Sequence, residues 1–372
     1  MDVKIDVPEK APLEVWLAGA VVVALMALGS WQAVQSLSHP DVADVPSGLG
    51  DIRTGVATEK LNKHLDNHLP VRSTLIALAN AGRYLVFQGA GDDVRLGRDE
   101  WLFSVEELAY SQNGLTQLNK RVATVAQLSA ELAKRGVKLV VALLPDKARV
   151  HAPMLSSGQY PSWHASRYAT ALEGLRSAGV PTVDLLTAMA PAAATQQLFY
   201  STDTHWNQDG ADLSAQAIAA DVRRLATDLP AAQFATQAAA TPEARVGDLL
   251  RLMGLSDVPN WMRPNPDIEA TRTTERTSPP AEGGLLDDVG SPVVLVGTSY
   301  SRRANFHGAL QQHLGAEVLN VAKDGGGFFK SIQAYLGDET FASSPPKVLV
   351  WEIPERVLSA PETEAEKKGI RF

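Results

Sequence analysis

Short, uninterrupted runs of Val and Leu recur along the chain, each paired with a helical pattern, and this alternation constrains the fold more than any other feature. VKLVVALLP (137–145) follows a periodic helix Thr116–Arg135 that stops at Gly136, and VPTVDLL (180–186) follows Trp163–Ser177, which stops at Gly179. PVVLVG (292–297) leads into a helix Arg302–Leu314, AEVLNVA (316–322) leads into another near Phe328–Leu336, and KVLVWEI (347–353) closes the series. Apolar runs of strand length with no polar alternation are buried on both faces, which requires a parallel sheet covered by helices on each side. The expected architecture is therefore a single α/β, doubly wound domain, whose ligands bind beyond the carboxyl ends of the strands. With 45% hydrophobic and 20% charged residues over 372 positions, the chain can bury such a core and is not disordered.

A second constraint lies at the N-terminus. Between Glu14 and Asp41 there is no Asp, Glu, Lys or Arg, and Val15–Trp31 is almost wholly apolar, with Trp16 and Trp31 near its ends. One bilayer crossing needs about 20 such residues, with indole rings favouring the headgroup zone. A cleaved signal peptide would have a shorter apolar run, a more basic start and a small-x-small cleavage site. The expected layout is a cytoplasmic tail at 1–14, a transmembrane anchor at 15–37, a Pro- and Gly-rich linker at 38–56, a domain at 57–360 and a polar tail at 361–372. Lys4 and Lys10 precede the anchor, whereas Gln32–Asp51 holds no Lys or Arg, so the positive-inside rule keeps the tail in the cytoplasm and exports the domain, with which a periplasmic home beyond an inner membrane is compatible. From 57 to 90 the pattern is helical, with Leu61, Leu65 and Leu69 before Pro70 and then Leu75–Phe87; residues 230–290 read as an irregular insertion.

Composition removes several functional classes. A formal charge of −8 supplies no basic face for nucleic acid. The absence of cysteine excludes disulfide scaffolds, thiolate zinc sites, iron–sulfur clusters and a Cys nucleophile.

Two stretches carry chemistry. In Tyr200-Ser201-Thr202-Asp203-Thr204-His205-Trp206-Asn207 the D-x-H spacing lets Asp203 accept the Nδ1 proton of His205 and fix its tautomer, leaving Nε2 free as a base. Val296-Gly297-Thr298-Ser299-Tyr300-Ser301 stands where a buried strand gives way to a helix, which places Ser299 at the carboxyl edge of the sheet with helix N–H groups beside it. Taken singly, a serine there is an ordinary helix cap and a D-x-H an ordinary surface loop; taken together they make a Ser-His-Asp candidate. His64 and His68 are four apart on a helix but have no evident third ligand, so no metal site is expected, and His307 and His313 lie on the helix after Ser299. Gly325-Gly326-Gly327 lacks a following Walker lysine and hydroxyl, so it reads as backbone brought close to a ligand and not as a nucleotide loop. No cofactor is expected.

The DTHWN and GTSYS stretches, with Gly97-Arg98-Asp99-Glu100-Trp101-Leu102-Phe103 at the entry and Trp351-Glu352-Ile353-Pro354-Glu355-Arg356 at the close, resemble the AlgJ/AlgX family of alginate O-acetyltransferases, a branch of the SGNH hydrolase-like superfamily. Leu69-Pro70-Val71-Arg72 and Leu144-Pro145-Asp146-Lys147 are similar landmarks, and the likeness covers roughly 57–360. The resemblance implies a periplasmic enzyme that places acetyl esters on exopolysaccharide hydroxyls, with Ser299 as nucleophile, His205 as base and Asp203 as its orienting acid. It also implies the permuted chain order Asp, His, Ser, a membrane-bound O-acyltransferase as acetyl donor, an exopolysaccharide biosynthesis complex and a polysaccharide acceptor. The chain ends soon after Arg356, without the carbohydrate-binding module of AlgX, which is more similar to the AlgJ branch. Tyr300, Trp206 and Arg356 are candidates to line a sugar site, and Asn320 is a candidate second oxyanion donor beside the Ser299 N–H. A polysaccharide acetylesterase with the same triad and a non-catalytic scaffold of the export complex stand as alternatives, and the polymer is open between alginate, cellulose and others.

Overall fold

The structure is a computed structural model and describes residues 13–38, 49–68, 70–279 and 291–369. The chain divides into two units, 1–82 and 83–372. In the first, helices Leu13–Ser36, Leu49–Thr54 and Val56–His68 follow one another, and the His64 ring donates from Nε2 to the Ser36 carbonyl (2.8 Å), which engages that imidazole. The His68 side chain lies outside the described residues. Among the described residues no helix is long and apolar enough to cross a membrane. The span expected at 15–37 is therefore not found there, although several side chains of that run also lie outside the description.

The second unit is built on five parallel strands: β1 (Lys138–Leu144), β2 (Thr182–Asp184), β3 (Val293–Val296), β4 (Val318–Asn320) and β5 (Val348–Pro354), in the spatial order β4-β3-β5-β1-β2. Each corresponds to one of the apolar runs. The pleat sends Val140, Ala142 and Leu144 of β1 to one face, with Val293 and Leu295 of β3 and Val348 and Val350 of β5. Helices Gln208–Leu225 and Phe306–Leu314 pack there through Ala211, Ala215, Ile218 and Leu310. Leu139, Val141, Leu143, Val294, Val296, Trp351 and Ile353 face the other way, against Leu118, Val125, Leu128 and Leu132 of helix Gly114–Lys134 and Ile332 of Lys330–Leu336. Both faces are thus dry, as uninterrupted apolar strands require.

From β5 the chain order runs outward through β1 to β2 on one side and through β3 to β4 on the other. This reversal opens a crevice at the carboxyl ends of β1, β5 and β3, where an open α/β sheet places its ligands.

The segment 230–290 is more regular than its sequence suggests. It holds two antiparallel ribbons, Phe234–Ala238 with Arg272–Arg276 and Glu243–Arg245 with Asp267–Glu269, and a short helix Asp248–Leu252. These strands are too short, polar and exposed to leave an apolar periodicity, and their order comes from tertiary hydrogen bonds. Residues 280–290 lie outside the description.

Candidate active site

The Ser299 turn forms where β3 meets a buried carboxylate. Val293–Thr298 are buried and Ser299 is partly open to solvent. Beneath it the fully buried Glu352 of β5 accepts from the Thr298 N–H (2.8 Å), the Thr298 hydroxyl (3.0 Å) and the Ser301 hydroxyl (3.0 Å). Burial raises the Glu352 pKa above the usual carboxylate range, although those donors partly offset it. A Cβ at Gly297 would meet Glu352 Oε2 at 2.5 Å, so the approach of the carboxylate to the turn requires glycine there. The helix expected from Arg302 differs. A single 3₁₀ turn Ser299–Arg302 is followed by Ala304 and Asn305, both at φ 55°, and the α-helix begins only at Phe306. The left-handed pair breaks the run, so one turn, not a whole helix, follows the serine.

The DTH stretch is the tip of a hairpin closed by an antiparallel bridge between Phe199 and Trp206, with Asn207 capping helix Gln208–Leu225 through its side-chain oxygen. Asp203 Oδ1 accepts from both the backbone N–H (2.9 Å) and Nδ1 (2.5 Å) of His205, which fixes the ring. His205 Nε2 then lies 2.7 Å from Ser299 Oγ. Side chains from loops 94 residues apart are thereby joined in one hydrogen-bonded chain. Burial pushes the Asp203 carboxyl up, but the hydrogen bonds and charge of His205 and the charge of Arg245 hold it well below the ordinary carboxylate range.

The insertion braces this hairpin residue by residue. Asp203 Oδ2 accepts from Arg245 Nη2 (3.2 Å) and the Asp248 N–H (3.1 Å), and Asp248 in turn accepts from the Thr204 N–H (2.7 Å) and hydroxyl (2.5 Å). Asp267 takes the N–H and hydroxyl of both Ser201 and Thr202 at 2.7–3.0 Å. Sequence reading missed these residues, since isolated charges in a polar segment carry no signal for a contact made across the fold. Asp203, His205 and Asp248 are also close enough together to hold a cation. However, the two Asp203 oxygens already accept four donors and a guanidinium stands beside them, which opposes a second positive charge.

Ser299 opens on a cavity of about 550 Å³ that is also lined by Gly325–Gly327, Phe328, Tyr110 and Arg356. Arg356 thus lines the same cavity as Ser299 and donates to the Tyr300 hydroxyl (3.2 Å). The other three expected substrate residues are placed differently. Tyr300 and Trp206 are fully buried: the Tyr300 hydroxyl donates to the Thr204 carbonyl (2.6 Å) and its ring packs on His205, while Trp206 packs between Tyr300, which it meets edge to face, and Phe306. They support the site from below and do not line it, because aromatic area at a strand end gains more from the core than from water. Asn320 donates to the Ser301 carbonyl (2.8 Å), accepts from the Ala322 N–H (3.0 Å) and borders a different cavity, so it closes a turn and does not face Ser299 as an oxyanion donor.

Residues 94–355 match the family model described as the SGNH hydrolase-like domain of the acetyltransferase AlgX. The chain belongs to the AlgJ/AlgX family. It is 34% identical over 93% of its length to a Pseudomonas aeruginosa protein named probable alginate O-acetylase AlgJ, of which 90% is covered. The alginate biosynthesis protein AlgX of the same organism is 30% identical over 76% of the chain and 60% of that protein, a shorter match. Among solved structures, the O-acetyltransferase domain of Pseudomonas putida AlgJ superposes with a TM-score of 0.64 at 35% identity, covering 73% of this chain and 94% of that one. Pseudomonas aeruginosa AlgX gives a TM-score of 0.56 at 26% identity over 75% of this chain and 65% of that one. The SGNH-like α/β fold and the AlgJ-like affinity within the family are thus both established.

Proposed function

We propose that this protein is an exopolysaccharide O-acetyltransferase working through an acetyl-Ser299 intermediate, with alginate as the acceptor indicated by the names of its relatives. The observation that carries the reading is the chain Asp203 Oδ1–His205 Nδ1 (2.5 Å) and His205 Nε2–Ser299 Oγ (2.7 Å) at the mouth of a cavity large enough for a sugar unit.

In the first step Ser299 Oγ attacks the carbonyl carbon of a donor acetyl ester while its proton passes to His205 Nε2. As the tetrahedral adduct collapses, the bond to the donor oxygen breaks and that oxygen takes the proton from His205, leaving acetyl-Ser299. A sugar hydroxyl then gives its proton to His205 and attacks the acetyl carbon, and Ser299 Oγ leaves with that proton restored. Asp203 holds the imidazole and stabilises its charged form throughout. The Ser299 N–H, which makes no hydrogen bond among the described residues, supplies one oxyanion donor, a contribution of about 3 kcal/mol at comparable sites.

In this proposal the domain lies in the periplasm, tethered through the uncharged run at 15–37, and takes acetyl groups from a membrane-bound O-acyltransferase within a polymer-export complex. What supports the tether is the sequence of that run, and what supports the complex is the naming of the AlgJ and AlgX relatives. The decisive experiment incubates the full chain with a small acetyl ester and a mannuronate oligosaccharide and follows both the protein and the sugar by mass spectrometry. An acetyl adduct on Ser299 and on the sugar is expected, both lost in Ser299→Ala. Acetylated sugar formed by the Ser299→Ala variant would overturn the mechanism, and ester cleavage without sugar acetylation would favour the esterase reading.

A further inference from the structure

Lys147, one residue after the Asp146 of the LPDK stretch, is fully buried, yet no step above uses it. An ammonium has three N–H donors, and here each meets a backbone carbonyl: Leu102 (2.6 Å), Ser201 (2.9 Å) and Asp203 (2.9 Å). No carboxylate among the described residues is in hydrogen-bond contact with it; the rings of Trp101 and Phe103 cover its charge, with centroids 5.2 and 5.1 Å away. Two of the three carbonyls belong to the hairpin tip, and one of those is the carbonyl of Asp203 itself. Without the ammonium the buried Leu102 and Asp203 carbonyls would lose this donor and the Ser201 carbonyl would keep only the Leu102 N–H (2.9 Å), a state the tip would relieve by turning toward water and moving Asp203 with it.

We propose that Lys147 is a positioning residue for the Asp203–His205 pair, its ammonium gathering the carbonyls of Leu102, Ser201 and Asp203 so that the hairpin tip holds the imidazole against Ser299. The functional part of this inference rests on the acyl-transfer reading; the geometric part does not. Methionine matches the length of the lysine stem and donates nothing, so it separates packing from hydrogen bonding. The charge is also titratable. Burial lowers the Lys147 pKa to about 8, against the opposing pull of Glu107 in the short helix Val105–Leu108, Asp267 and Asp248 in the insertion, and Asp203. His151, four residues on, is kept neutral partly by this charge. A neutral amine has two donors and turns a lone pair toward the third carbonyl, so the clamp weakens above that pH.

The test uses the full chain, with Ser299→Ala as reference and Lys147→Met as the variant, assayed on a small acetyl ester from about pH 6 to 10, a range that brackets the lysine titration. Lys147→Met is expected to lower kcat about tenfold or more with KM within about twofold, and to lack an alkaline decline that wild type shows near pH 8. A folded Lys147→Met with wild-type kcat and an unchanged pH profile overturns the proposal. Hydrogen exchange on the wild type at about pH 7 and 9 provides an arm independent of activity and of the stability of the variant. Protection of the amides of 200–207 is expected to fall several-fold relative to those of β1, and unchanged relative protection overturns the clamp. Ester cleavage that survives Ser299→Ala would defeat the acyl-transfer reading while leaving the exchange experiment to decide Lys147.

Discussion

Gly247 lies so close beneath Thr202 that a Cβ at position 247 would stand 2.0 Å from the Thr202 carbonyl oxygen and 2.8 Å from the Asp203 nitrogen. The obstructing atoms are backbone and cannot rotate away, so the contact joins the insertion directly to the hairpin that carries the carboxylate. Gly247→Ala is expected to lower esterase kcat at least about tenfold and stability by about 1–3 kcal/mol, as overpacking does elsewhere. Thermal melting and ester assays read both, and a variant with wild-type values for each would show that the insertion does not set the hairpin.

Removing the orienting acid while keeping its shape addresses the tautomer of His205. Asp203→Asn is expected to cut kcat by about 10³–10⁴-fold, since an amide can present an N–H where Nδ1 needs an acceptor. The stability change has a definite sign. A carboxyl whose folded pKa is depressed stabilises the fold above its unfolded value, 3.8, and loses that contribution as pH falls toward the lower folded value. Acid titration of both proteins should therefore show the wild-type advantage at about pH 6 shrinking below about pH 4; a gap independent of pH would contradict it.

Glu352 supports Ser299 from beneath without a cation in contact among the described residues. Glu352→Gln keeps an oxygen for the Thr298 N–H and the Ser301 hydroxyl and is expected to retain activity within about threefold, whereas Glu352→Leu strands three buried donors and is expected to lose stability by about 3 kcal/mol or more. Parallel denaturant curves and kcat values for the two variants decide this. Equal behaviour of the two would remove the hydrogen-bonding role.

His151 gives the fold an acid-side sensitivity separate from the active site. It is buried between the rings of Trp101 and Phe199, accepts the Leu198 N–H at Nε2 (3.2 Å), and has its pKa lowered to about 4 by burial and by Lys147. The unfolded chain takes up this proton near 6.5 and the folded one near 4, so stability is complete above 6.5 and falls through that window by on the order of 3 kcal/mol. His151→Gln, which can still accept from Leu198, should flatten the slope between pH 6.5 and 4 in urea titrations, and an unchanged slope would place the titration elsewhere.

The five strands, the helices between them and the placement of Ser299 at the end of β3 were legible because burial on both faces leaves a local mark, an apolar run a few residues long. The Asp203–His205 pairing was legible for a similar reason: two residues two apart can bond within one turn, and they do, through both the ring and the backbone N–H. Trp206 and Tyr300 were misplaced because composition does not tell an aromatic ring that lines a cavity from one that fills a core. The braces Arg245, Asp248 and Asp267, and the ammonium of Lys147, were unreadable because their partners lie 42 to 66 residues away, and in several cases are backbone atoms with no side-chain identity.

Local periodicity and short-range hydrogen bonding thus determined which elements form and which residue types can do acyl chemistry, since both depend on neighbours along the chain. Only the tertiary structure decided that Nε2 of His205 stands 2.7 Å from Ser299 Oγ, and that a polar insertion and a buried lysine hold it there. The physical reason is that such contacts depend on how distant backbone groups are satisfied once the sheet has closed, a condition that no stretch of sequence expresses alone.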